Sequence, residues 1–227
     1  RSPNGVAHVY KTQLEMLWIP MADQRKLAQQ GYSFSKLPQK ELHNIWFDIW
    51  QSSNVLEVKS QALLYYEQFK KGPNFARFFP RLKKYAKDLE NWVHSDILSD
   101  LYARALEQAP EKVIPTLKKW NQSSRRWERR QSVVSLFYYA RWRQDYPDSS
   151  LVFELVENLL DDEDYYVQKG VGWTLRETRQ AYPQEANKFL KKHLSRLSSL
   201  AFTTACEKME KEKKEKWKQE RKKERQS

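Results

Sequence analysis

The chain has 227 residues, with 41 Lys and Arg against 29 Asp and Glu, a formal charge of +12, 14% aromatic residues, five glycines and one cysteine. That length makes one domain or two small ones with a sizeable core; Cys206 alone excludes a disulfide framework or a cysteine-rich zinc site, the aromatic content argues against disorder, and no apolar run is long enough to span a membrane. Five glycines supply no GxGxxG or GxxxxGK[ST] loop and too few tight turns for a sheet protein, whereas the abundant Glu, Gln, Lys, Arg, Leu and Ala all favour helix.

The opening RSPNGVAHVY lacks the apolar stretch of a secretory signal, so a cytoplasmic location is expected. Asp23 to Ala28 opens a short helix that Gly31 stops. Leu37-Pro38 starts another, with Leu42, Ile45, Trp46, Ile49 and Trp50 on one face. Asn54 is placed to cap a third, which carries Val55, Val58, Ala62, Tyr65 and Tyr66 as far as Gly72-Pro73. Further helices are predicted at 74–88, 90–107, 110–119, 124–143, 149–160, 164–181, 183–196 and 198–225, with most prolines at the junctions. About twelve short helices in about six sequential antiparallel pairs predict an all-α, curved α-solenoid of HEAT/armadillo-like repeats over residues 1–205. Residues 206–227 form a basic helical tail without an apolar stripe, read either as a solvated helix or as an arm for a polyanion. The body is basic without the tail, which makes polyphosphate the natural partner.

The familiar catalytic constellations are missing. His8, His43, His94 and His193 have no metal-ligand spacing, no GxSxG occurs, and Cys206 has no evident partner, so neither metal nor cofactor is expected. The acidic run Asp161 to Asp164 reads as an interhelix loop that places negative charge at the next helix N-terminus. Three segments carry more. Trp92 and Asp96 share a helix face at the edge of the apolar arc of Leu89, Val93, Ile97 and Leu101, so the carboxylate is either half-buried or facing a cleft. Arg125-Arg126-Trp127-Glu128-Arg129-Arg130 sets four arginines around a tryptophan. In YYVQKGVGWTLRE, Lys169, Trp173 and Arg176 form one cationic-aromatic stripe, and Gly170 and Gly172 imply either close helix packing or close approach of a ligand. Arginine interleaved with aromatics suits phosphate backbones and stacked bases.

These segments also resemble a family. YYVQKGVGWTLRE is similar to the signature helix of the HEAT-like-repeat alkylpurine DNA glycosylases, the AlkD family. The Trp-x-x-x-Asp at 92–96 and the W-x-R-R at 127–130 resemble that family's other motifs, in the same order. The resemblance spans roughly 15–200 and departs at Leu17 to Arg25, where Trp18 and Ala22 replace a glycine and a proline while Arg25 remains; Tyr10 corresponds to an aromatic of the first helix. The resemblance implies hydrolysis of the N-glycosidic bond of cationic N3- or N7-alkylated purines in duplex DNA. Asp96, Trp92 and Trp173 would be catalytic, and Arg130, Arg129, Arg176, Lys169, Arg25 and Trp127 would bind DNA. It also implies a monomer that works on DNA, away from membranes. Two other readings stay open: a non-catalytic HEAT-repeat protein recognising DNA shape, and a protein–protein scaffold.

Overall fold

The computed structural model describes residues 12–138, 143 and 145–226; Tyr10 lies outside them. The described residues form twelve α-helices and two 3-10 turns, and their one piece of β structure is an isolated bridge between Glu15 and Val55. No helix among them is long and apolar enough to cross a membrane. The chain divides into two compact units, Arg1–Gln108 and Ala109–Ser227.

Unit 1 contains α1 (Met21–Gln30), α2 (Gln39–Ser52), α3 (Leu56–Glu67), α4 (Phe79–Leu82) and α5 (Trp92–Gln108). Pro20 and Pro38 precede α1 and α2, where a missing N–H costs nothing. α2 buries Leu42, His43, Trp46 and Trp50, and α3 packs against α1, α2 and α5. Asn54 does not cap α3: its amide donates to the Glu15 carboxylate at 3.0 Å, and Val55 holds the cap position. The helix expected over 74–88 is broken into a 3-10 turn at Phe75–Phe78, α4, and a second 3-10 turn at Tyr85–Asp88. Pro80 explains the break, because it has no N–H to donate and its ring would clash with the Ala76 carbonyl in a continuous helix. Trp18, where the resembled family has a glycine, sits at φ 61, in the left-handed region. The buried Glu57 carboxylate accepts from the backbone N–H groups of Leu17 (2.9 Å) and Ile19 (3.3 Å) and so holds this turn.

Unit 2 contains α6 (Pro110–Asn121), α7 (Arg126–Val134), α8 (Ser149–Glu157), α9 (Tyr165–Ala181), α10 (Pro183–Lys192), α11 (Ser199–Ala205) and α12 (Lys211–Glu224). α9 is its centre and packs against α7, α8, α10 and α11. Asp164 caps α9 by accepting from the N–H groups of Tyr166 (2.8 Å) and Val167 (3.1 Å), so the acidic loop does place charge at a helix N-terminus. The helix expected over 124–143 ends at Val134; the buried Arg143 takes the Leu136 carbonyl, which a longer helix would need.

The tail corrects its expectation. The single helix predicted at 198–225 is two, and α12, solvated along most of its length as expected, is nonetheless anchored by the buried Trp217. Arg221 and Arg225 donate to the Leu197 carbonyl at 2.6 and 2.8 Å, and the Arg221 guanidinium lies over the Phe202 ring. One buried indole and two arginines bonded to carbonyls dock a helix that has no periodic apolar face.

Candidate functional site

In unit 1 the site rests on the first turns of α5. Asn91 accepts from the His94 N–H at 3.0 Å, and the fully buried His94 ring spans from the Asn91 amide (2.9 Å) to the Leu56 carbonyl (3.0 Å). Burial, with a further push from Lys59, lowers the His94 pKa to about 4, so the ring is neutral and the helix start is fixed. Val93, Ile97 and Leu101 are buried, while Trp92, Asp96 and Asp100 form a half-buried row one turn apart. This matches the edge position read from the spacing: a carboxylate beside an indole, at the border between core and solvent.

Arg25 belongs to an ion-pair chain ending on the same row. It grips Glu67 with two bonds of 2.9 and 3.0 Å, Lys70 reaches Glu67 at 3.6 Å, and Lys70 reaches Asp100 at 2.6 Å. Burial alone would raise the Glu67 carboxyl, but Arg25 and Lys70 outweigh it and hold it low. Arg25 is therefore already matched to a carboxylate within the chain. With Glu67, Lys70 and Lys71 it lines a depression of about 200 Å³. A cavity of about 390 Å³ among Tyr32, Trp46, Gln61, Tyr65 and Phe69 contains none of the expected site residues.

In unit 2 the arginine-rich segment sorts into three environments. Trp127, expected at the DNA surface, is in the core, its ring 4.8 Å from that of Tyr166 and its indole N–H without an acceptor among the described residues. Arg129, also expected on DNA, binds Asp162 at 2.5 Å and the carbonyls of Ser123 and Ser124 at 2.9 Å each, which makes it a staple of the preceding loop. Arg130 is buried, donates to the Tyr166 carbonyl at 3.1 Å, and lies against Gly170. Arg125 and Arg126 are the outward cations, each about half exposed, and the Arg126 guanidinium lies 5.5 Å from the Trp127 ring and 5.9 Å from that of Tyr166.

Along α9 the partly exposed residues Tyr166, Lys169, Trp173 and Arg176 form one stripe, flanked by buried Val167, Gly170, Val171, Gly172, Thr174 and Leu175. The Arg176 guanidinium is 5.7 Å from the Trp173 ring, which also lies 5.7 Å from the Tyr138 ring. Lys169 donates to Thr204 at 3.3 Å, and both Lys169 and Arg176 pair with Glu207. Gly170 and Gly172 serve close helix packing, on α7 and α11 respectively. Tyr166 and Glu207 were missed from the sequence, and Arg126 was read only as one of the four arginines around Trp127. Spacing signals Tyr166, which stands three residues before Lys169, but no local pattern signals Glu207.

Among the described residues no group of three or more His, Cys, Asp or Glu could hold a metal ion. Cys206 is buried and its thiol is pushed up by burial, the opposite of a reactive cysteine.

The family described as DNA alkylation repair enzyme matches residues 3–209 of this chain. Three solved structures are similar. A predicted DNA alkylation repair enzyme from Enterococcus faecalis is 18% identical, with TM-score 0.71, over 88% of this chain and 90% of that one. AlkD2 from Streptococcus mutans is 18% identical, with TM-score 0.60, over 83% and 89%. The protein smu.31 from Streptococcus mutans UA159 is 19% identical, with TM-score 0.56, over 75% and 82%. At these identities the likeness is one of fold, the all-helical repeat fold. No curated protein matches the chain by sequence.

Proposed function

The chain belongs to the DNA alkylation repair enzyme family, and from that membership we propose that it is a DNA glycosylase that hydrolyses the N-glycosidic bond of N3- and N7-alkylated purines in duplex DNA. The observation that carries this reading is the pairing of Trp92 and Asp96 one turn apart on the half-buried row of α5.

An N3- or N7-alkylated purine already carries a positive charge and leaves as a neutral base, so no general acid has to protonate it. Cleavage of the C1′–N bond leaves positive charge on the deoxyribose. The Asp96 carboxylate stabilises that charge and orients the water whose oxygen forms the new C1′–O bond; the water's proton passes through the carboxylate to solvent. Trp92, on the same row as Asp96, offers a ring face to the sugar, and the family resemblance gives Trp173, in the second unit, a like role toward a cationic lesion. Lys169, Arg176 and Arg130 grip backbone phosphates, Arg130 also tying α7 to the start of α9 through the Tyr166 carbonyl, and Arg126 on Tyr166 adds an exposed cation. Arg129 and Trp127 act as scaffold. The protein works as a monomer on cytoplasmic DNA.

The test is release of free base from methylated duplex DNA. Free N7-methylguanine and N3-methyladenine should accumulate with enzyme and time, and an apurinic site should remain. DNA binding without base release would overturn the glycosylase assignment.

A further inference from the structure

The cations of α9 are already bound to an anion supplied by the chain itself. Glu207 lies in the turn after α11, and its carboxylate accepts from Arg176 through Nη1 and lies 3.5 Å from Lys169 Nζ. Thr204, one turn earlier, accepts from the same Lys169 at 3.3 Å. A second acid, Glu177, has a different place. It is buried, takes Arg176 Nε at 2.8 Å, and is held in turn by Gln180 at 2.6 Å and Lys208 at 3.3 Å. Glu177 fixes the guanidinium from within, whereas Glu207, with 39% of its side chain exposed, closes the remaining edge.

A lysine and an arginine converging on two carboxylate oxygens supply the same charge and donor geometry that two oxygens of a phosphodiester require. We infer that Glu207 occupies the seat of a DNA backbone phosphate and has to swing out before Lys169 and Arg176 can grip DNA. This inference rests on the reading of the α9 stripe as a phosphate grip. Glu207 then sets how tightly a duplex is held, because its displacement is a cost that every duplex has to meet. Displacement is feasible because a surface ion pair contributes little and competes with a polyanion. The Arg176 guanidinium also lies over Trp173, so the exchange is felt beside the ring proposed to meet the lesion.

The experiment compares Glu207→Gln with Glu215→Gln, a control that removes a charge from α12, where Glu215 pairs only loosely with Lys218 at 3.7 Å. Binding of the full chain to an unmodified duplex is followed by fluorescence anisotropy at fixed salt. Glu207→Gln should bind about 3- to 10-fold tighter than wild type, with the control within about twofold. Glu207→Asp, which keeps the charge but is too short to span both cations, should fall between wild type and Glu207→Gln, and it serves if the amide variant folds poorly. If wild type binds duplex and Glu207→Gln gains no more than the control, Glu207 is not a phosphate surrogate. If wild type does not bind but Glu207→Gln does, the seat is fully masked and the inference stands. If neither binds, Lys169 and Arg176 grip no phosphate, and the functional reading falls with it.

Discussion

Gly172 of α9 lies so close to Ala201 of α11 that a Cβ added to it would stand 2.5 Å from the Ala201 carbonyl oxygen and 2.9 Å from its Cα. Both atoms are backbone, so the two helices would have to separate. On the other side of α9, a Cβ at Gly170 would meet Val134 at 3.1 Å and Arg130 at 3.3 Å, contacts with side chains that need shift by only a few tenths of an ångström. Gly172→Ala should therefore lower stability by about 1–3 kcal/mol, and Gly170→Ala by clearly less. Thermal unfolding of the two variants checks this. Equal melting temperatures would mean that the glycines do not set the position of α9 between α7 and α11.

Asp96→Asn keeps the shape of the side chain and removes its charge. If the carboxylate stabilises the developing sugar cation by about 2–4 kcal/mol, single-turnover base release should fall on the order of 30- to 1,000-fold while the melting temperature holds. A variant that melts earlier but keeps its activity per folded molecule would make Asp96 a structural residue of α5.

Arg130 is a support as well as a charge. Its bond to the Tyr166 carbonyl and its packing against Gly170 tie α7 to the start of the α9 stripe. Arg130→Ala should cost about 1–3 kcal/mol in stability, since it removes a hydrogen bond together with the packing of a buried side chain. It should also weaken binding to damaged and undamaged duplex alike and lower the slope of log K against log salt by about one unit. Earlier melting with an unchanged slope would leave Arg130 a packing role only.

Trp173→Phe separates ring chemistry from ring volume. Phenylalanine keeps most of the apolar contact with Tyr138 but attracts a cation less strongly than indole does. Melting should change little and DNA binding through Lys169 and Arg176 should persist, while release of cationic N3- and N7-alkylpurines slows measurably. Wild-type release by both Trp173→Phe and Trp92→Phe would make the two rings core or spacer residues.

Where burial repeats along a helix, the sequence revealed the structure. α2 shows its Leu42, Trp46 and Trp50 face, α5 its Trp92 and Asp96 edge, and α9 its stripe and its Asp164 cap. What escaped depends on contacts between residues far apart in the chain. Trp217 is the one buried residue of α12, and one buried residue makes no period. Trp127 sits among arginines and reads as surface, yet its ring faces Tyr166 in the core. Arg129, Arg25 and Arg176 look like interchangeable cations until their partners Asp162, Glu67 and Glu207 are seen, each more than 30 residues away. The break at Pro80 was legible from proline's chemistry but is masked by the helix-favouring residues around it.

Unit 1 should lose stability on mild acidification, because two of its histidines are buried neutral. His94 is held between Asn91 and Leu56, and His43 lies 3.0 Å from the Tyr66 hydroxyl with its ring stacked on that tyrosine. Burial is the main cause of both lowered pKa values, each about 4; Arg81 and Arg77 add to it at His43, and Lys59 at His94. The unfolded chain titrates these rings near 6.5, so between about pH 6.5 and 4 it binds more protons than the folded protein. Their contribution to stability is thus complete above about pH 6.5, declines as pH falls, and levels off below about 4. For the fully buried His94 the loss by pH 5 is about 2 kcal/mol. Urea unfolding at pH 7 and pH 5, a window in which ordinary carboxylates stay ionised, should show a lower midpoint at pH 5, and His94→Gln should flatten part of the difference. Equal wild-type midpoints at the two pH values would rule out a buried neutral histidine here. Because the folded protein keeps the His94 ring neutral down to about pH 4, the turn that carries Trp92 and Asp96 should stay intact between pH 7 and 5, and base release by folded protein should not change through His94 in that range even as the urea midpoint falls.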